Sequence, residues 1–404
     1  MIGRNGEGRT KAGSVRFIVI LATISALGPF SLDMYLPAMP AMADALEANP
    51  SLLQMTITGY LIGVAVGPLF LGPLSDAWGR IRAQTLFLLL YAVMSVACAL
   101  APNAEALIGF RIAQAVAAGA AMTSSRAMLS DVFAGDALSR ATSLMMTIFT
   151  LGPVLAPMLG AWILIFAGWR GIFGALVVLS LAACLLMRLL PETLPPERRR
   201  PYAARAVVQG YVGIMRQPAA RRYLGSTFSF AFMFFGMLAA SPFIFIDHFG
   251  MSPQGFGYLF ASISAAALGG NILNARLVFR FGYERMLAGA TVALGCVGAA
   301  MALIVATGAG GLWGVYAGML LLMAIFHISI ANTLAGVMRI AADRAGAASA
   351  ALAFWRFLGG ALGTVTVGAF NTSHPWPLAL AICVAAVGAA AALTLWRAGA
   401  PDAR

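Results

Sequence analysis

The sequence predicts an all-α polytopic membrane protein of twelve transmembrane helices, arranged as two six-helix bundles. Three observations predict it. Hydrophobic residues make up 61% of the 404-residue chain and charged residues only 10%, with a mean hydropathy of +0.88; a soluble interior has no room for that much apolar surface. Apolar runs of about 20 residues recur between short polar breaks, the length that crosses a bilayer core. The longest polar stretch follows the sixth run and divides the chain six and six.

The runs lie near 15–37, 52–74, 84–101, 104–128, 140–163, 170–190, 223–247, 255–278, 286–306, 312–337, 346–370 and 375–397. The first contains Asp33, with Pro37 and Pro40 where the run ends. An acid inside such a run is unfavourable by roughly 2.5–3.5 kcal/mol on insertion scales. Two readings of Asp33 stand: a titrating group in an apolar cavity, or a structural acid that caps a helix end or faces outside water. Helical rise puts it about 27 Å from the start of the run, toward the outer part of the membrane.

The second run repeats glycine at 59, 63 and 67, which permits close helix approach, in static packing or at a moving interface. It ends in "GPLSDAWGRIR", where Gly72 and Gly79 allow a tight turn and Asp76 can pair with arginine or cap a helix. In the fourth run Arg111 and Gln114 share one helical face, followed by the small-residue band 117–121. Arg111 either snorkels to the outer interface or faces inward. The fifth run holds Gly152, Pro153, Pro157 and Gly160, which put bends and thin surfaces along one helix.

The sixth run leads into the link 191–222. Prolines at 191, 195, 196 and 201 make its first part stiff and extended, and its later part reads as an amphipathic helix on the membrane surface. The expected domains are thus 1–190, an N-terminal six-helix bundle; 191–222, a cytoplasmic linker; and 223–404, a C-terminal six-helix bundle. The seventh run is rich in phenylalanine, including Phe230 and Phe234. Aromatics suit a permissive apolar pocket, although most of these rings must face lipid or neighbouring helices. The tenth run carries His327 and Asn332, a proton relay or a hydrogen-bonded structural pair. The eleventh has Gly359, Gly360, Gly363 and Gly368.

A weak internal repeat supports the two halves. Shifted by 203 residues, Leu74 falls on Leu277, Gly79 on Gly282 and Arg82 on Arg285. Two such halves imply binding between them and alternating access by rocking.

A net charge of +12 suggests nucleic acid in a soluble domain, but the placement of the charge argues against it. Arg4, Arg9, Lys11 and Arg16 precede the first run, and arginines crowd the link and the breaks after the second, eighth and tenth runs. Arg397 and Arg404 follow the last. Breaks on the other side carry Asp44, Glu47, Glu105 and Asp247, with Arg170 their one clear basic residue. This positive-inside pattern puts both termini in the cytoplasm and leaves no basic patch for nucleic acid. The "AMA" at 41–43 resembles a signal-peptidase site, but cleavage there would leave inconsistent loop charges. Cys98, Cys184, Cys296 and Cys383 all lie in apolar runs and suit packing. The three histidines at 248, 327 and 374 are dispersed, and no metal or nucleophile constellation suggests an enzyme.

The loop after the second run resembles the signature of the major facilitator superfamily. Gly72, Asp76, Gly79, Arg80 and Arg82 match it, whereas Ala77 stands at a position usually basic. That resemblance implies a cytoplasmic gate in which Asp76 helps hold the halves together, with Asp131 and Arg356 as candidate members of the charge cluster. "RIAQ" with Gly119 resembles the fourth-helix motif of that superfamily, whose arginine is associated with proton coupling. Gly152, Pro153, Pro157 and Gly160 resemble the fifth-helix motif of its antiporters.

Together with "SLDMYLPAMPAMA", "LPETLPPERR" and "FSFAFMFFG", these motifs resemble the Bcr/CflA family of bacterial drug/proton antiporters over all twelve runs. The resemblance implies a multi-pass protein of the bacterial inner membrane, functional as a monomer, that exports antibiotics such as bicyclomycin, phenicols or sulfonamides. The proton gradient would be the energy source, with no cofactor and no metal. Some relatives export amino acids or peptides instead, so family does not settle substrate. Asp33 is the expected proton-titrating group, because an apolar cavity raises a carboxyl pKa into a usable range. Arg111 would bias that equilibrium, and Met34, Tyr35, Gln114, Phe230, Phe234, His327 and Asn332 are candidates for the substrate cavity. Ser25 stands where some relatives carry a second acid.

Overall fold

The structure, a computed structural model, describes residues 15–199, 201–202, 204–341, 344–370 and 373–395. The basic residues Arg4, Arg9, Lys11, Arg200, Arg397 and Arg404 lie outside the described residues. Ten helical stretches among the described residues are long and apolar enough to cross a membrane. In the first half they are α1 (Val15–Asp33), continued by the short α2 (Met39–Ala45), then α3 (Pro50–Trp78), α4 (Arg80–Ala99), α5 (Ala104–Val132) and α6 (Gly135–Met187). The short α7 (Ala204–Met215) follows. Then come α8 (Pro218–Pro242, extended by a π turn over Phe243–His248), α9 (Pro253–Thr307), α10 (Gly311–Ile340), α11 (Ala345–Gly368) and α12 (Trp376–Leu395).

Two of these stretches are pairs of helices joined at a glycine. Gly168 in α6 has φ 63° and Gly282 in α9 has φ 77°, a backbone region that residues with a Cβ rarely enter. Divided there, the ten stretches become the twelve predicted spans. The first span runs on to Ala45, beyond its expected end at 37. Asp33 therefore marks a break inside this helical stretch, with helix on both sides of it.

The helices are apolar on two sides, as a membrane solvent demands. On α4, Leu86, Leu89, Val93 and Val96 form an exposed stripe spaced three and four apart. Its opposite face buries Ala83, Phe87, Tyr91 and Cys98, together with the polar Gln84 and Ser95. Polar atoms point inward because hydrocarbon offers them no partner: Gln84 Nε2 donates to the Ala121 carbonyl at 3.1 Å and to Ser125 Oγ at 3.2 Å on α5. Ends are capped locally where the sequence permits it, by Asn103 before α5 and Ser252 before α9.

The chain forms two compact units, one of residues up to Ala41 with Ile62–Ala204, the other of Met42–Leu61 with residues from Arg205 on. In the first, α1 packs on α6 and α5, and α4 on α5 and α6. In the second, α8 packs on α11, α12 and α10, and α9 on α10 and α12. Residues 42–61 join the second unit through side chains that the expected domain boundaries did not anticipate: Thr58 and Thr364 hydroxyls share a 2.5 Å hydrogen bond. The amphipathic segment of the link is helical as α7, and it lies on α11, with Tyr211 beside Phe354 (ring centroids 6.5 Å) and Ile214 fully buried.

The same glycine contacts build both units. A Cβ at Gly67 of α3 would collide with the Val116 carbonyl of α5, and one at Gly160 of α6 with the Met34 carbonyl just after α1. In the second unit a Cβ at Gly270 of α9 would meet the Ala324 carbonyl of α10 at 2.5 Å, and ones at Gly359 and Gly363 of α11 the Phe228 and Phe232 carbonyls of α8. First span on fifth and second on fourth thus recurs as seventh on eleventh and eighth on tenth. The bends agree as well: Gly79 (φ 95°, ψ 156°) and Gly282 (φ 77°, ψ 156°) turn the chain alike. Gly63 and Gly67 of α3 and Gly359, Gly360 and Gly363 of α11 accordingly pack within a unit.

Gly67→Leu should therefore lower the thermal unfolding temperature of the detergent-solubilised protein, since overpacking costs about 1–3 kcal/mol or more. Gly109→Ala, where an added Cβ meets nothing within 4 Å, should leave it unchanged or raise it slightly. Equal unfolding temperatures for both variants would contradict the packing described.

Candidate functional site

The site is built around the break in α1. The helix ends at Asp33, the chain makes a single turn over Leu36–Ala38 with proline at 37, and helical structure resumes at Met39. A break at membrane depth survives only where protein encloses the freed backbone groups. Here α6 does this with the expected antiporter motif. Gly160 lies against the Met34 carbonyl, and a Cβ on Gly152 would touch the Phe30 ring at 3.4 Å. Pro153 and Pro157 sit inside the same helix between these two contacts. Met34 and Tyr35 are almost wholly buried, and Asp33 is 6% exposed. Among the described residues no ion pair or hydrogen bond reaches the Asp33 carboxylate.

Arg111 of α5 is fully buried and points inward beside this break. Its Nη1 donates to Ser31 Oγ and to Gln114 Oε1, both at 2.7 Å, and its Nη2 donates to the Ser31 carbonyl at 3.2 Å. Gln114 Nε2 in turn donates to Ser95 Oγ at 2.7 Å, and Ser95 to the Tyr91 carbonyl at 2.7 Å. The guanidinium also lies 5.0 Å from the Tyr35 ring centre and 5.9 Å from that of Phe173. The cation is thus held by the oxygens of Ser31 and Gln114 and by ring faces, and Ser31 stands two residues before Asp33 on α1. Ser31, Ser95 and Phe173 went unnoticed in the sequence, where a serine in an apolar run carries no distinguishing signal.

The loop after α3 forms a second cluster. Arg80 donates to Asp76 Oδ1 at 2.5 Å, to Asp131 Oδ2 at 2.8 Å and to Ser75 Oγ at 3.0 Å. Glu192 of the link caps α4, accepting from Arg80 N at 2.8 Å and Ile81 N at 3.2 Å. A carboxylate there meets the positive end of the helix dipole. Thr193 donates to Asp131 at 3.1 Å. The positive-φ Gly79 fits this corner: a Cβ would sit 2.8 Å from Glu192 Oε2. Asp76, Gly79, Arg80 and Asp131 therefore come together. Gly72 has open space around it and Arg82 is exposed, while Arg356 lies half-buried on α11 in the other unit. Glu192 was missed in the sequence, although an acid in "LPET" facing a glycine-started helix was the signal available.

In the second unit, Phe230 is fully enclosed and Phe234 stacks on Phe326 at 4.0 Å with rings 2° from parallel. Asn332 donates to Asn274 Oδ1 at 2.6 Å, tying α10 to α9, and His327 is half-buried one turn before it. The histidines are less dispersed than the sequence suggests, since His248 and His374 meet with ring centroids 5.0 Å apart. No group of three or more potential metal ligands occurs among the described residues.

Residues 21–364 match the family described as Major Facilitator Superfamily. The chain is 33% identical over 377 residues to the uncharacterized MFS-type transporter YdgK of Bacillus subtilis, covering 91% of this chain and 92% of that protein. It is 28% identical to the bicyclomycin resistance protein homolog of Haemophilus influenzae (91% and 93% covered) and 29% identical to the chloramphenicol resistance protein of Pseudomonas aeruginosa (89% and 87%). Its fold resembles that of the xylose transporter XylE from E. coli, with a TM-score of 0.70 at 17% identity over 93% of this chain and 96% of that one. A multi-pass helical chain with these bends and these relatives is a small-molecule transporter and not an enzyme, and it belongs to the Major Facilitator Superfamily.

Proposed function

We propose that this transporter exports antibiotics or related small molecules from bacteria by exchange with protons, as a Bcr/CflA-type antiporter of the inner membrane with both termini in the cytoplasm. The observation that carries this reading is Asp33: a buried acid at the break of a membrane helix, with no cation or donor on its carboxylate among the described residues. Such a group has both hands open for a proton or for a cationic or hydrogen-bond-donating compound. Proton and drug compete for one carboxyl, and competition for a shared site is sufficient for exchange. The cluster of Asp76, Arg80 and Asp131 belongs to the cytoplasmic gate. Two relatives bear the names of bicyclomycin and chloramphenicol resistance, which supports a drug as cargo. A polar metabolite such as an amino acid or dipeptide is the alternative cargo.

Arg111 serves as a tethered cation beside Asp33. Held by Ser31 and Gln114, it is positioned to turn toward the carboxylate when the proton leaves. Ser31 and Gln114, which hold it, are neutral.

A proton–substrate coupling of about 1–3 kcal/mol corresponds to a factor of roughly 5–150. Asp33→Asn should remove a factor of that size from proton-driven export. The measurement is a panel of antibiotics and amino acids tested for export in an efflux-deficient host and in inverted vesicles. Full proton-driven export of every transported compound by the variant would refute the assignment. Arg111→Ala should reduce coupled export and Arg111→Lys should recover part of it, since lysine keeps the charge but not the two-pronged donor. Unchanged export by Arg111→Ala would remove this residue from the mechanism.

A further inference from the structure

At the Gly282 bend the second unit carries a groove of about 330 Å³, set between the two arms of α9 and α10. Its walls include Leu277, Met286, Ile325 and Ile328, and Gly289 leaves a gap in its floor. At the bend the groove is flanked by Phe281 and Arg285. The volume falls at the lower end of the roughly 300–1,000 Å³ usual for small-molecule sites, and the lining is almost wholly apolar.

The charge around the groove is one-sided. Arg276, Arg280 and Arg285 lie on α9 beside it, and all three are exposed. The one acid of the bend, Glu284, is occupied: it faces Arg222 at 3.7 Å and accepts from the Tyr223 hydroxyl at 3.2 Å. Arg285 has no acidic partner among the described residues.

The repeat sharpens the contrast. Gly79 and Gly282 make the same bend, yet beside Gly79 Arg80 pairs with Asp76 and Asp131, where the 203-residue shift places Tyr283; Arg82, the counterpart of Arg285, is exposed as Arg285 is. A shift of 203 residues puts Phe279 where Asp76 stands, and Phe279 is 93% exposed. An exposed phenylalanine is apolar surface facing lipid, and exposed arginines beside it mark a cytoplasmic helix end. The second bend thus lacks, at position 279, the carboxylate that Asp76 supplies to the first.

We propose that this groove binds one anionic phospholipid of the cytoplasmic leaflet, with an acyl chain against Leu277, Met286 and Ile325 and the phosphate on Arg285. A basic pocket between spanning helices on that side has the chemistry for such a headgroup. The site is independent of the exported substrate.

The test compares full-length wild type, Arg285→Gln and Gly289→Leu by native mass spectrometry, from membranes of defined phosphatidylglycerol and phosphatidylcholine content. Gly289→Leu is sterically admissible, because a Cβ there meets nothing within 4 Å, and it adds bulk to the groove lining. Wild type should retain one phosphatidylglycerol with roughly fivefold preference over phosphatidylcholine, the scale of one arginine near a charged surface. Arg285→Gln should lose the preference, and Gly289→Leu should lose the bound lipid, both with wild-type unfolding temperatures. Equal retention of the two lipids by wild type, or a preference unchanged in both variants, would overturn the proposal. Displacement of the lipid by an exported drug in wild type but not in Gly289→Leu would overturn it too, as it would make the groove a drug site. A variant that unfolds early is replaced by Arg285→Lys and Gly289→Val. The proposal then requires retained preference in the lysine variant and reduced lipid retention in the valine variant.

Discussion

Hydrocarbon offers no partner to a backbone amide or carbonyl, so a spanning helix can be interrupted only where other helices enclose the interruption. The break after Asp33 depends on this. Gly160 allows α6 to rest on the Met34 carbonyl, and the neighbouring turn holds Pro37 without exposing backbone to lipid. A single methyl group at Gly160 would push the two helices apart. The unusual acid at 33 is thereby tied to an unusual glycine 127 positions later in the chain, and neither makes structural sense without the other.

A second consequence concerns charge. A buried cation is tolerable when hydrogen bonds replace its hydration; Arg111 donates them to Ser31 and Gln114 and lies near the rings of Tyr35 and Phe173. These partners are all neutral. The arrangement ties the Arg111 guanidinium of α5 to Ser31, two residues before Asp33 on α1, without pairing it with the Asp33 carboxylate, which suits a site whose acid must change its protonation state. Arg80 illustrates the opposite solution: its guanidinium is answered by two carboxylates, an arrangement suited to holding elements together.

Duplication runs beneath both. Each unit presses its first span on its fifth and its second on its fourth through glycine against carbonyl, and each bends its second-to-third connection at a glycine with ψ 156°. The side chains around these bends have diverged, to acids about Gly79 and to exposed phenylalanines about Gly282. The backbone plan repeats where close packing constrains it, and chemistry varies where water or lipid is adjacent.

The solvent, the spans, the bends at Gly79 and Gly282 and the oddity of Asp33 and Arg111 were all legible in the sequence, because each follows from composition or spacing within a few turns of chain. The partners of Arg111, the enclosure of Phe230, the pairing of Asn332 with Asn274 and the meeting of His248 with His374 were not. Nor was the capping of α4 by Glu192. In a chain that is apolar on every face, periodicity does not distinguish a side chain turned to lipid from one turned to protein. By itself the sequence determined that this is a twelve-span membrane protein with a charged group placed where charge is unfavourable. Only the tertiary structure decided what that group touches, because contacts between helices are set by residues far apart in the chain that become neighbours only when the helices pack.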